Sequence, residues 1–296
     1  MKKVKLSRDI FPKEMFDVFS EKKSKRKRKE TVTKKNIKIL KSGKVKFKKD
    51  QKVSLDPYIK DSVKGCVCSR IEGIPNNEEV VLEETTLKTE INTNLTSIKR
   101  CLELNAYTSD QPYTVVSVCT KKEAEGLFDF MENTIIGVLL RTSTLASIYK
   151  TQKERWVELN TDDKTAFTNI LYIPNILIFL NERDGKILKK PFKVNLLVVS
   201  VPNAKCMVDG IAEAEDDVVV KRIVDDVFES AIKIHTPKLI ISPFCYHPLL
   251  KDEHLTSEYW HAVSETERVN NNIKSIDFCV NSDDSFIIFK ESKKSE

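Results

Sequence analysis

A chain of 296 residues with 40% hydrophobic content can bury a sizeable core, as one large domain with a tail or as two small ones. No run approaches 18 consecutive apolar residues, which excludes a membrane-spanning helix, and Met1 to Phe11 lacks the apolar stretch of a secretory signal, so an intracellular protein is expected. The net charge of +6 conceals a division: residues 1–50 hold 20 Lys/Arg against 6 Asp/Glu, and the remainder holds 30 against 38.

The first element, residues 1 to about 55, is therefore expected to be a basic, flexible arm, because like charges repel and apolar residues are sparse. It carries the run Lys22, Lys23, Lys25, Arg26, Lys27, Arg28 and Lys29, then "KSGKVKFKK". The run reads as a nuclear localisation signal, as a nucleic-acid contact spread over residues 22–49, or as a solvated tail. "KVKF" can form a strand, though a marginal one in isolation.

A folded pattern begins at residue 78 and runs to about 290. "EEVVLEETTLKTEINTNL" reads as a strand turning into a helix. Tyr113 to Val118 is a short buried strand. Between Ile173 and Ala204, two apolar runs flank a polar segment with the turn pair Asp184-Gly185. The second run, Val194 to Val201, is nearly all apolar, which predicts a central strand covered on both faces. Val224, Val227, Phe228, Ala231 and Ile232 form a helical stripe. "KLIISPF" and "IDFCV" then read as strands, "TSEYWHAV" as a helix and "SFIIF" as a last strand. The alternation predicts an α/β sheet with helices on both faces.

In such sheets ligands sit at the carboxyl ends of the strands, here the loops at residues 119–137, at "PNAK" from Pro202, and at "SPFCYHPLLKDEH" from Ser242. Only seven glycines occur in the chain, and none of these loops offers a glycine-rich phosphate cradle. Cys245, His247, His254 and His261 lack the paired spacing of a zinc site, as do Cys66 and Cys68 in "GCVC", so no metal and no cofactor is expected. Cys119 or Cys245 with His247 could form a nucleophile pair, but cysteine is more often a small core residue. The seven cysteines, odd in number, fit reduced thiols. Glu123, Glu125 and Glu132 could do acid/base work, although solvated loop carboxylates are commoner.

Several stretches together resemble one family. "LEETTL" (Leu82 to Leu87) is similar to a helix start N-E-T-T-L, and "LLRTSTL" (Leu139 to Leu145) to L-C-R-x-S-T-L. "YIPNILIFLNERDGKILKKPFKVNLLVVSVPNA" is similar to Y-S-P-x-V-x-V-F-R-D-x-x-G followed by P-Y-K-V-D-V-I-T-A-A-A-P-N. From about Glu79 to Phe289 the chain thus resembles the catalytic domain of microbial-type poly(ADP-ribose) glycohydrolases. The resemblance implies a macrodomain-like α/β/α sandwich of three layers with a mixed sheet, and ADP-ribose or a related nucleotide as ligand.

The departures fall at the chemistry. Laid without a gap, the family's N-P-G-G-G falls on Glu123, Ala124, Glu125, Gly126 and Leu127, and Phe128 keeps the aromatic that follows. The family's Q-E-E falls on Ile135, Ile136 and Gly137, so isoleucine and glycine stand where the two carboxylates would be. The family's second glutamate protonates the departing ribose oxygen, and neither residue can do so. The expectation is a catalytically inactive module whose cleft is lined by Glu123, Glu125, Gly126, Leu127, Phe128, Pro202, Asn203, Phe244 and His247, with Phe128 and Phe244 closing an emptied space. The alternatives are an active glycohydrolase using Glu123 or Glu132, and a nucleic-acid-binding protein acting through its arm. The glycine-poor, lysine-rich make-up suggests a viral or intracellular-parasite source.

Overall fold

The computed structural model describes residues 13–48, 51–75, 87–93, 98–101, 112–124, 126–161, 167–202, 216–243, 252–280 and 282–292. The first described element is a long helix, α1 (Lys13–Ser42), which Gly43 ends in the left-handed region at φ 66°. A hairpin of β1 (Lys44–Lys48) and β2 (Gln51–Ser54) follows, then α2 (Asp56–Lys64) with Pro57 in its first turn. Next come β3 (Val67–Arg70), β4 (Lys88–Thr93) and β5 (Thr114–Thr120), then α3 (Ile135–Thr142) and α4 (Leu145–Leu159). The long strands β6 (Asn169–Leu180) and β7 (Ile187–Val201) are joined by a tight turn in which Gly185 has φ 64°. After them lie α5 (Asp216–Lys233), β8 (Lys238–Ile241), α6 (Glu253–Ser264), α7 (Glu267–Asn272), β9 (Ser275–Val280) and α8 (Asp283–Glu291). Among the described residues no helix is long and apolar enough to cross a membrane.

Among the described residues seven strands form one mixed sheet in the order β3-β6-β7-β5-β8-β9-β4. The pairs β3/β6 and β6/β7 are antiparallel, and those from β7 to β4 are parallel. Val194 to Val201 lies in β7 with neighbours on both sides and is buried throughout. Its continuous apolar run is what a strand covered on both faces requires. One face packs on α5 to α8 through Val224, Phe228, Trp260, Val269 and Phe289. The other packs on α3 and α4 through Ile136, Leu139, Leu140, Leu145 and Trp156. This is a three-layer α/β/α sandwich, as expected.

Three expectations are corrected. The segment up to residue 55 is not a flexible arm along its whole length. Val32 of α1, Val45 of β1 and Leu55 form a third apolar cluster with Leu177, Phe179 and Leu180 of β6. Asn36 is fully buried and donates to Leu140 O at 2.9 Å and Ser143 O at 3.1 Å. Lys27, Lys34, Lys38 and Lys41 share the outward side of the helix, and a few apolar residues on the other side, with Asn36 and Lys29 beside them, suffice to dock it. Second, the domain does not start at residue 78, because β3 hydrogen-bonds to β6. Lys88–Thr93, expected in a helix, is the edge strand β4 beside β9; Thr89, Ile91 and Thr93 are β-branched and favour that geometry. Residues 78–86 lie outside the described residues. Third, "SFIIF" is in helix α8, not a strand. Ser282 caps it by accepting from Ser285 N at 3.1 Å, and Asp283 and Asp284 favour its positive end.

Candidate functional site

The parallel strands β7, β5, β8 and β9 bring Val201, Thr120, Ile241 and Val280 to the same edge of the sheet. From β5 the chain enters a helical turn at Lys121–Glu123 and a loop that leads into α3. The Glu123 carboxylate reaches back to accept from Thr120 N at 2.9 Å and Thr120 Oγ1 at 3.0 Å. That side chain is used as a cap for the turn. Gly126 is exposed, and its N–H donates to Glu123 O at 3.1 Å. Leu127 and Phe128 are buried and pack in the core cluster with Ile136 and Leu139. Pro202 is buried at the end of β7. Glu125, Asn203, Phe244 and His247 lie outside the described residues, as does Cys245.

Residues 129–134 fold back over the start of α3. Asp129 Oδ1 accepts from Met131 N at 2.7 Å, and Thr134 Oγ1 accepts from Gly137 N at 3.1 Å to cap the helix. Gly137 lies directly beneath this loop. A Cβ on it would stand 2.6 Å from Glu132 O, 2.9 Å from Asp129 O and 3.2 Å from Arg141 Nη1. Here glycine is required by close backbone approach, since its φ is that of an ordinary helix. Ile136 is fully buried in the core.

Arg141 holds the loop down. It is wholly buried, its Nη1 donates to Phe130 O at 2.5 Å and Glu132 O at 2.8 Å, and its Nη2 pairs with Glu182 from the β6–β7 turn. From the far side Lys29 of α1 donates to Met131 O at 2.5 Å. Partial burial, with the Arg141 charge nearby, pulls the Lys29 ammonium below the usual lysine value. Three elements distant in sequence thus converge on one loop. Nothing in the sequence singled out Arg141, Glu182 or Lys29 for this; the available signal was an arginine set among the apolar residues of "LLRTSTL".

The rest of that motif ties the helical layer to the sheet. Ser143 Oγ donates to Leu139 O at 2.6 Å and accepts from Leu145 N at 3.1 Å. Thr144 Oγ1 accepts from Leu177 N, and Thr144 N donates to Leu177 O, both at 3.1 Å. Arg141, Thr142, Ser143 and Thr144 are all buried, so they brace the frame.

The other candidates are dispersed. Glu132 is exposed, and the contact it supplies to Arg141 is its backbone carbonyl. Burial pushes the Cys119 thiol up to about 12, which removes the thiolate needed for attack. Burial does the same to Cys66, whose Sγ donates to Gln152 Oε1 at 3.0 Å. His254 is exposed at the start of α6, whereas His261 is buried against Phe278 and Phe289 with Nε2 2.7 Å from Phe289 O. Among the described residues no group of three or more His, Cys, Asp and Glu could hold a metal ion.

A second polar cluster lies at the opposite sheet edge. Arg100 Nε donates to Asp277 Oδ1 at 2.8 Å, Asn92 Nδ2 donates to the same oxygen at 3.2 Å, and Arg100 also pairs with Glu90. Burial raises the Asp277 carboxyl above its ordinary value, while the Arg100 bond opposes the shift. This arrangement pins the helical residues 98–101 to β4 and β9.

No protein-family model and no curated protein matches the chain. Solved structures do. Poly(ADP-ribose) glycohydrolase from Thermomonospora curvata aligns with TM-score 0.67 and 15% identity over 90% of this chain and 99% of that one. The same enzyme bound to the inhibitor ADP-HPD gives TM-score 0.63 and 16% identity over 90% and 98%. Poly(ADP-ribose) glycohydrolase from Deinococcus radiodurans in complex with ADP-ribose gives 0.55 and 18% over 71% and 86%. A match over 90% of 296 residues leaves about 30 outside, fewer than the 55 of the expected arm, so much of that segment lies within the shared architecture. The chain has the macrodomain-like fold of the microbial poly(ADP-ribose) glycohydrolases.

Proposed function

We propose that this chain is a catalytically silent module built on the glycohydrolase fold, acting by binding or as a structural part and not by turnover. The observation that carries this reading is Gly137. Opening a glycosidic bond through an oxocarbenium-like state needs a positioned general acid. At the position where the family's acid would stand there is no side chain, and two loop carbonyls occupy the space that a Cβ would need. The relocated-acid alternative is disfavoured for Glu123, whose carboxylate is engaged by Thr120.

The structural neighbours include complexes with ADP-ribose and with the inhibitor ADP-HPD, which supports an ADP-ribose-related ligand for the crevice at the carboxyl ends of β5, β7 and β8. Two measurements test the proposal. The intact protein incubated with poly(ADP-ribose) should release no ADP-ribose; turnover abolished by Glu132→Gln would overturn the reading in favour of a relocated acid. Calorimetric titration with ADP-ribose then separates the two forms of the proposal, heat of binding marking a reader and none marking a structural part.

A further inference from the structure

We infer that the outward side of α1 and the hairpin after it form a rigid docking surface for the phosphate backbone of double-stranded nucleic acid. Residues 25–48 hold twelve Lys/Arg and one acid, Glu30, which pairs with Arg26 at 3.5 Å. At about 100° per residue, Lys27, Lys34, Lys38 and Lys41 fall within about 60° of one another on the helix. All four are exposed, and they lie opposite the buried Asn36 that fastens α1 to the body. Docking of the other face therefore sets the direction of the lysine stripe. With a rise of about 1.5 Å per residue the stripe is about 21 Å long, enough to reach across the ~12 Å major groove from one backbone to the other.

The hairpin supplies a second, independent observation. Val45 faces inward and is buried, while Lys44 and Lys46 face solvent. Lys46 and the exposed Lys52 are direct cross-strand partners. Like charges placed opposite each other destabilise a strand pair, and the neighbouring pair, Lys44 with Ser54, brings no acid to relieve them. A phosphate seated between the two ammonium groups would convert that repulsion into attraction.

Duplex is favoured over single strands by what the surface lacks. Single-stranded nucleic acids are held by aromatic side chains on which bases stack. The single aromatic among residues 25–54, Phe47, packs inward against the third apolar cluster. A surface of lysines alone suits a partner that turns its phosphates outward and hides its bases.

The test is fluorescence anisotropy of the intact chain with a mixed-sequence 20-base-pair DNA duplex between 50 and 200 mM salt. Wild type should bind with steep salt dependence. The variant K27Q/K34Q/K38Q/K41Q should lose about 3 to 4 from the slope of log affinity against log salt, and on the order of 10³-fold in affinity at 0.1 M salt. K150Q/K153Q/K221Q/K290Q, which removes as many charges elsewhere, should bind nearly as wild type does. K46Q/K52Q should weaken DNA binding and yet raise the melting temperature of the free protein, an opposition that a purely structural lysine pair would not give. The inference is overturned if wild type does not bind at 50 mM salt. Equal losses in the two fourfold variants, or a K46Q/K52Q protein that melts lower, would also overturn it. Tighter binding of single-stranded DNA or of poly(ADP-ribose) than of duplex would refute the choice of partner.

Discussion

Replacing Asn36 by alanine tests whether the N-terminal helix belongs to the folded body. In the structure the Asn36 amide is fully buried, and its Nδ2 supplies both Leu140 O and Ser143 O at the carboxyl end of α3. Those carbonyls sit where a helix has no internal donors left, so the asparagine serves as a cap delivered from another element. Each hydrogen bond contributes roughly 0.5–1.5 kcal/mol net, and an orphaned buried carbonyl costs about 1–3 kcal/mol. The side chain's own Oδ1 has no partner among the described residues, so truncation also removes one unsatisfied acceptor and returns part of that cost. Asn36→Ala should therefore destabilise the protein by about 1–3 kcal/mol. Asn36→Asp should cost more, because it aims carboxylate oxygens at two carbonyl oxygens in a buried site. The measurement is urea unfolding of the intact chain followed by circular dichroism, with the midpoint shifted and the slope unchanged. A change within about 0.5 kcal/mol for both variants, the range of ordinary surface substitutions, would mean that α1 is undocked in solution and that the flexible-arm expectation was correct.

Other expectations concern the loop, a buried carboxyl and the basic run. Gly137→Ala should lower stability by about 1–3 kcal/mol through overpacking against Glu132 O and Asp129 O, despite alanine's better helix propensity. Ile136→Glu/Gly137→Glu should unfold at lower denaturant and gain no glycohydrolase activity; an active, stable double variant would refute the closed-loop reading. Burial raises the Asp226 carboxyl above the usual carboxylate value, against the opposing hydrogen bond from Thr168 and the charge of Arg222. The folded state then holds its proton more tightly than the unfolded state, so the contribution of this group to stability falls as pH rises from the ordinary carboxylate range through the raised value. The stability of wild type minus that of Asp226→Asn should decline across that window, and a rising difference would contradict the sign. Finally, Lys22 to Lys29 fused to a reporter should carry it into nuclei, whereas a reporter left in the cytoplasm would discard the localisation reading.

The parts of the fold that could be read in advance were those whose burial is written in a single period. Val194 to Val201 is one, since a strand covered on both faces needs nothing but apolar residues. The stripe around Val224 and Phe228 is another. What misled was sequence whose environment is decided far away. The docked side of α1 has few apolar residues, among them Val32, Ile39 and Leu40, and its fastening depends on Asn36 meeting carbonyls more than 100 residues later. "SFIIF" alternates too briefly to distinguish strand from helix, and the capping serine before it decided the matter. At the candidate site the resemblance to the family's motif pointed to Ile136 and Gly137. The close approach of the loop backbone to Gly137 was not legible, because it depends on Arg141, Lys29 and Glu182 gathering from three elements.

The long-range docking of α1 also bears on how the protein is made. Its partners at Leu140 and Ser143 leave the ribosome 104 and 107 residues after Asn36. At a synthesis rate of about 5–20 residues per second, the nascent helix waits about 5 to 20 s for them. Throughout that interval Val32, Ile39 and Leu40 have only the adjacent hairpin and Leu55 to cover them, and Leu177, Phe179 and Leu180 of β6 come later still. The flanking lysines then act as gatekeepers, keeping a short apolar strip from associating with other chains until β6 arrives.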